Sequence, residues 1–147
     1  MPVLVNSIQI GAPADRVFDY VSTMENELEW NPKVITMERL TSTPLGVGSQ
    51  YRAEWPGSGK SLIEITTIDR PRSWTAYATG RGLDIAFKGE VAELAHGARL
   101  TITMDLRPKG VLKLASPLLA RAMQRTEERN LANLKRTIEA REAPAPV

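Results

Sequence analysis

The stretch Arg99-Leu100-Thr101-Ile102-Thr103-Met104-Asp105-Leu106-Arg107 decides the fold, because apolar and polar residues alternate along it without interruption. Side chains on a β-strand point alternately to opposite faces, so this pattern predicts a strand with one buried and one solvated face. Such strands are typical of an antiparallel sheet that covers a core on one side only.

The same alternation runs back through most of the chain, from Val34 to Arg107. The inner-face residues that it predicts before Arg99 are Tyr51, Ala53, Trp55, Ile63, Ile65, Thr67, Trp74, Ala76, Ala78, Leu83, Ile85, Phe87 and Val91. The turn sequences between these segments, such as Gly80-Arg81-Gly82 and His96-Gly97, are too short for crossover helices. We therefore expect about six antiparallel strands in this region.

A strand and two short helices are predicted ahead of this sheet. The strand covers about Val3 to Ile10, and Pro13 suits the first turn of the helix that follows. The spacing of Ser22 and Glu25 is that of a capping box, which predicts the start of a second short helix. That helix should end by Trp30-Asn31, because Pro32 disfavours helix in the residue before it.

After Pro108-Lys109-Gly110 the apolar period lengthens to that of a helix. The predicted stripe consists of Val111, Leu112, Ala115, Leu118, Leu119, Ala122, Met123, Leu131, Leu134 and Ile138. Pro117 leaves two alternatives, a helix that Ser116 caps or a longer helix that kinks at the proline. Either helix has about 25–30 residues and a length on the order of 40 Å, enough to cover the sheet. The predicted fold class is α+β.

The bulk composition indicates an ordinary globular protein. The chain has 147 residues, and we expect one domain over 1–142 with a flexible tail over 143–147. A net charge of +2 gives no electrostatic case for a nucleic-acid binder. With no cysteine, no visible secretory signal and no long apolar run, the expected location is the cytoplasm.

Several short motifs resemble those of one superfamily, in the same order along the chain. They are Ser7-Ile8-Gln9-Ile10-Gly11-Ala12-Pro13, Val17-Phe18-Asp19-Tyr20-Val21, Glu29-Trp30-Asn31-Pro32, Gly46-Val47-Gly48-Ser49, Asp69-Arg70-Pro71 and Asn130-Leu131-Ala132-Asn133-Leu134-Lys135. Together they resemble the polyketide cyclase/dehydrase-like proteins of the START-like, or SRPBCC, superfamily. The resemblance implies a helix-grip fold, in which a curved sheet of about seven strands wraps around the C-terminal helix and leaves a cavity.

The inner-face pattern and this resemblance together predict which side chains line the cavity. These residues are Trp30, Tyr51, Trp55, Ile65, Thr67, Trp74, Phe87, Met104, Leu118, Ala122 and Met123. Thr67 would supply a hydrogen bond to an otherwise apolar guest. The expected function is binding of a small hydrophobic or amphipathic molecule, lipid- or polyketide-like, without a metal or a cofactor. The alternative is that these side chains pack together as a dry core.

The sequence gives little support for catalysis, and no catalytic residue is predicted. The only histidine, His96, falls in a predicted hairpin tip, and Gly59-Lys60-Ser61 lacks the helix that a phosphate loop needs. The resemblance implies a pocket arginine near position 67, where this chain has threonine. A polyketide cyclase or dehydratase therefore remains the alternative to a binding protein.

A basic ridge is predicted on the last helix, where Arg121, Arg125 and Arg129 repeat at intervals of one turn. It would attract an acidic partner or a membrane surface. Glu127, Glu128 and Glu139 interrupt the positive charge, so an ordinary solvated face is the favoured interpretation. A third hypothesis for the whole chain is an interaction module, in which the long helix or a sheet edge forms a homodimer.

Overall fold

The computed structural model describes residues 2–42, 44–56 and 59–142. Within them, seven strands form one antiparallel sheet in the order β1-β7-β6-β5-β4-β3-β2. The strands are β1 (Val3–Ile10), β2 (Thr36–Arg39), β3 (Gln50–Trp55), β4 (Gly59–Asp69), β5 (Ser73–Thr79), β6 (Leu83–Leu94) and β7 (Gly97–Pro108). The α-helices are α1 (Ala14–Ser22), α2 (Glu27–Trp30) and α3 (Ser116–Glu142). The predicted tail, 143–147, lies outside the described residues.

The curved sheet has the two-faced character that the alternation predicts. On β7, Leu100, Ile102 and Leu106 are buried, whereas Arg99 and Arg107 are exposed. Leu100 pairs with Ile8 of β1 and with Val91 of β6, so the apolar residues of neighbouring strands meet on the same face. This face is the core of the protein.

The long helix α3 lies along the core and packs against β1 and α2. It begins at Ser116 with Pro117 in its first turn, and a separate 3₁₀ turn covers Gly110–Lys113. The start of the helix at Ser116-Pro117 is confirmed and the kinked longer helix is not, but the Leu119 N–H donates to the carbonyl of Ala115 over 2.9 Å, so Ala115 and not Ser116 holds the cap position. The chain has no described helix that is long and apolar enough to cross a membrane.

The predicted capping box is wrong. Ser22 ends α1, and the next residues form a 3₁₀ turn over Met24–Asn26 that leads directly into the single turn of α2. Neither Thr23 nor Asn26 caps these turns with its side chain. The helix α2 is short because α1 and the 3₁₀ turn precede it and Pro32 disfavours helix in the residue before it.

Thr67 does not lie on the inner face, as the alternation predicts, but on the outer one. A β-bulge interrupts the pairing of β4 with β5 between Ile65 and Thr67. The extra residue reverses the alternation, so Thr67 pairs with Thr75 and shares a hydrogen bond of 2.6 Å with its hydroxyl on the exposed face. Ile68 takes the inner position instead.

Leu118 and Ala122 are exposed, contrary to the predicted stripe on α3. Successive residues of an α-helix are rotated by about 100°, so Leu118 lies roughly 160° around the helix from Leu134. Leu134 is fully buried, and Leu131 and Ile138 flank it. The predicted stripe therefore joined two different faces of the same helix.

Candidate ligand site

The candidate site lies between the inner face of the sheet and the first half of α3. No residue of α3 from Ser116 to Arg129 is buried, whereas Asn130, Leu131, Leu134 and Ile138 are. At the end of the sheet where α3 begins, several inner-face side chains are only half-buried: Trp55, Ala78, Leu83, Ile85 and Phe87. Ala120 and Met123 of the first half of α3 pack against the same core without being buried themselves, so the helix covers this end of the face only in part.

The inner face is densely packed at the opposite end of the sheet, where an aromatic cluster closes the site. Trp74 is fully buried, with the ring of Phe18 at 5.3 Å and 90° and the ring of Phe87 at 6.1 Å. The indole covers Gly89 on the neighbouring strand so closely that a Cβ there would lie 2.3 Å from it. Phe87 connects this cluster to the half-buried part of the face.

Tyr51 places a hydroxyl in the core beside Glu25 and Arg39, where it makes no hydrogen bond of regular geometry with a described residue. The Arg39 guanidinium lies 5.6 Å from the centre of its ring and donates to both carboxylate oxygens of Glu25, over 3.0 and 2.9 Å. Burial, with a contribution from the Glu25 charge, raises the pKa of Tyr51 to about 12. The phenol therefore stays protonated and remains a hydrogen-bond donor in this environment.

The single turn of α2 contributes two more polar groups with no partner in the described structure. They are Oε2 of Glu27 and Nε1 of Trp30, which are three residues apart and so lie on the same side of the turn. Burial raises the pKa of Glu27 to about 8, and the negative charge of Glu127 on α3 adds to the effect. Burial also raises the pKa of Glu127. The interface of α2 with α3 thus holds two carboxyl groups that resist ionisation.

The structure separates the predicted lining residues into four groups. Trp55, Phe87 and Met123 are half-buried at the end where α3 begins, and Tyr51, Ile65, Trp74 and Met104 are buried in the core. Trp30 lies between α2 and α3, and Thr67, Leu118 and Ala122 point away from the site. The lining role of the first two groups stays a prediction.

Two surface clefts lie beside α3, on the side of α2. One has a volume of about 360 Å³ and includes Trp30, and the other, of about 350 Å³, includes Lys33 and Arg129. Pro32, Asn133 and Arg136 line both clefts. Of the predicted site residues, only Trp30 lines either of them.

A family of known proteins matches this chain. Residues 1–139 match the family model described as polyketide cyclase / dehydrase and lipid transport. The chain belongs to this family. A search of the curated proteins found no match. The resemblance that the sequence motifs indicate is therefore confirmed, and it extends over nearly the whole chain.

Several solved structures share this fold. The Zhui aromatase/cyclase from Streptomyces sp. R1128 has a TM-score of 0.82 at 15% identity, covering 97% of this chain and 96% of that one. A protein from Thermus thermophilus has a TM-score of 0.80 at 18% identity, covering 97% and 100%. A START superfamily protein from Mycobacterium smegmatis has a TM-score of 0.77 at 16% identity, covering 94% and 97%. At these identities the similarity shows the helix-grip fold alone.

Three polar residues of the interior, Glu27, Glu127 and Asn130, were not predicted from the sequence. A signal for Glu127 was present, because it precedes Leu131 by four residues and Leu134 by seven and so falls on the buried face of α3. Glu27 stands one turn before Trp30, which is buried. Both were passed over because charged residues are ordinarily solvated.

Proposed function

We propose that this protein binds a small hydrophobic or amphipathic molecule, lipid- or polyketide-like, between its sheet and the first half of α3. The observation that carries the proposal is the half-buried state of the inner-face residues Ala78, Leu83, Ile85 and Phe87. An apolar inner face gains stability from being covered, and α3 covers it only in part here. A guest of matching polarity would complete the core.

The buried polar groups favour an amphipathic guest over a plain hydrocarbon. The Tyr51 hydroxyl and Glu27 Oε2 have no hydrogen-bond partner in the described structure, and an unmade hydrogen bond in a core costs about 1–3 kcal/mol. With its pKa raised to about 8, Glu27 is mostly protonated at neutral pH and both donates and accepts. A guest that extends from the first half of α3 towards α2 would bring a carbonyl or hydroxyl to these groups. The proposal involves no metal or cofactor, and its expected setting is the cytoplasm.

The test is native mass spectrometry of the purified protein, followed by titration with the fluorescent probe anilinonaphthalene sulfonate. We expect a co-purifying hydrophobic compound and saturable enhancement of probe fluorescence. The variant Ala78→Phe places a ring in the proposed space on β5 and should remove probe binding, whereas Ala92→Phe places the same ring on the exposed face of β6. If the two folded variants bind the probe equally well, the proposed site is wrong.

A second candidate function is cyclisation or dehydration of a bound polyketide-like substrate. The specific observation in its favour is the pair of buried carboxyl groups, Glu27 and Glu127, whose pKa values burial raises. A protonated carboxyl group in an apolar site donates a proton to a substrate carbonyl or to a departing hydroxyl group, and an ionised one accepts a proton from carbon.

The enzyme hypothesis is tested by supplying a linear poly-β-ketone and following its conversion. Glu27→Gln should then abolish conversion while binding of the fluorescent probe persists, and Glu38→Gln, at an exposed position, should change neither. Conversion that is equally fast with Glu27→Gln would exclude this role for Glu27.

A further inference from the structure

The most exposed of the large apolar side chains lie close together in the sequence, where α3 begins. Val111, Leu114 and Leu118 are 82%, 88% and 71% exposed, and we call this set the apolar tip. Val111 lies in the 3₁₀ turn before α3, Leu114 follows that turn, and Leu118 lies in the first turn of the helix. Single exposed apolar residues are common on protein surfaces, but a cluster of this kind marks an interaction site.

The arginine ridge, Arg121, Arg125 and Arg129, continues the surface that Leu118 begins. At about 100° per residue, all three arginines fall within roughly 60° of Leu118 around the helix axis. All three are exposed, and none forms an ion pair with another described residue. An apolar tip therefore stands beside a row of unneutralised positive charges.

Two of the three glutamates that interrupt the ridge in the sequence are directed away from it in the structure. Glu127 is turned into the protein, where burial raises its pKa. Glu139 accepts hydrogen bonds from the ammonium group of Lys135 and the backbone N–H of Gly11, both over 2.7 Å, near the other end of α3. Glu128 is exposed at the side of the ridge and keeps its negative charge, because Gln124, which donates to it over 3.2 Å, is neutral. The outward face therefore keeps an excess of positive charge.

We propose that the apolar tip and the arginine ridge dock this protein onto an anionic membrane surface. Leucine and valine side chains that enter the boundary of the acyl chains, beside cations that meet the headgroups, are the two components of interfacial binding. A soluble acidic partner would use the ridge and leave the leucines exposed. A second copy placed symmetrically on the same surface would bring arginine against arginine.

The position of the tip relates this surface to the inner space of the protein. Leu112, next to Val111, packs over Gly82 in the turn between β5 and β6, so closely that a Cβ on Gly82 would lie 2.6 Å from it. The N–H of Lys109 donates to the carbonyl of Gly82 over 2.9 Å. The half-buried residues Leu83 and Ile85 begin directly after this turn. A membrane at the tip would therefore face the less filled end of the interior.

The test is flotation of the full chain with vesicles of phosphatidylcholine alone and with vesicles to which phosphatidylglycerol is added. We expect binding to the anionic vesicles, weakened by added salt because exposed charges are screened over about 10 Å at 0.1 M. Arg121→Gln with Arg125→Gln should weaken binding about 25-fold, at about fivefold per arginine. Leu114→Ser with Leu118→Ser should weaken it about tenfold or more.

The matched controls are Val47→Ser, an exposed apolar residue on the loop before β3, and Arg52→Gln, an exposed arginine on β3. Both should bind the anionic vesicles like the unmodified chain. The proposal is wrong if the protein floats with neither kind of vesicle, or if the control variants lose as much binding as the tip and ridge variants. It is also wrong if light scattering shows a dimer that the tip variants convert to a monomer. Docking goes beyond the proposed ligand binding and does not depend on it, because the tip variants should still bind anilinonaphthalene sulfonate.

Discussion

Arg141, in the last turn of α3, donates hydrogen bonds from Nη2 to both carboxylate oxygens of Glu29 on α2, over 2.7 and 2.8 Å. Its guanidinium also lies 4.8 Å from the centre of the Tyr20 ring, and the Tyr20 hydroxyl donates to Glu29 over 2.6 Å. One guanidinium thus joins α1, α2 and the end of α3. This junction fixes the far half of α3, whereas the first half has no buried residue.

Loss of this junction should lower the stability of the fold. Arg141→Gln removes the ion pair with Glu29 and the cation–π contact with Tyr20 together, and because the arginine is half exposed the expected loss is about 1 kcal/mol. Urea denaturation measures it. The control is Arg72→Gln, which removes an exposed ion pair with Asp69 and should leave the free energy of unfolding nearly unchanged. Equal losses in both variants would contradict a special role for the junction.

Gly89 is required by the tryptophan that lies against it. A Cβ at this position would lie 2.3 Å from the six-membered ring of Trp74, which is fully buried and unable to retreat. Gly89→Ala should therefore destabilise the protein by about 1–3 kcal/mol, the usual range for overpacking in a core. Gly46→Ala, where nothing lies within 4 Å, is the matched control and should be nearly neutral. A Gly89→Ala protein with unchanged denaturation midpoint would show that the ring moves aside freely.

Glu27 should make the stability depend on pH. Its pKa is raised from 4.5 to about 8 in the folded protein, chiefly by burial. Between these two values the unfolded chain has lost the proton that the folded protein keeps, so the contribution of Glu27 to stability is greatest below about pH 4.5 and falls as the pH rises towards 8. The slope approaches at most about 1.4 kcal/mol per pH unit. Urea denaturation at a series of pH values measures it.

The variant Glu27→Gln isolates this contribution, because glutamine resembles the protonated acid and does not titrate. In this variant the free energy of unfolding should fall much less as the pH rises. The remaining fall should come from Glu127, whose pKa is also raised. Glu38→Gln, at an exposed position of β2, should leave the profile unchanged. The assignment fails if the decline survives in full in Glu27→Gln.

Two tyrosines of this core should respond oppositely to loss of their hydroxyl groups. Tyr51→Phe removes a buried hydroxyl that has no partner in the described structure, so the ligand-free protein should be equally stable or up to about 1 kcal/mol more stable. Tyr20→Phe removes the 2.6 Å hydrogen bond to Glu29 and should destabilise by about 1–2 kcal/mol. Thermal denaturation of the two variants compares them directly. A clear loss of stability in Tyr51→Phe would indicate that its hydroxyl has a partner within the protein.

Much of the fold was predictable because local patterns report burial directly. The alternation of Leu100, Ile102, Met104 and Leu106 placed β7 correctly, and Ser116 with Pro117 marked the start of α3. The predictions that failed depend on events that do not show in a local pattern. A single extra residue at the bulge turned Thr67 outward, and the phase of one long helix separated Leu118 from Leu134.

The sequence by itself determined the α+β class, the order of the elements and the apolar face, because strand and helix periods record which side of each element is buried. Only the tertiary structure decided which residues of different elements face one another across the interior. It brought Glu27 of α2 and Glu127 of α3 close enough to influence each other, although they are far apart in the chain. It also left the first half of α3 without a buried residue. These features follow from how the helix lies on the sheet, and no single element carries that information.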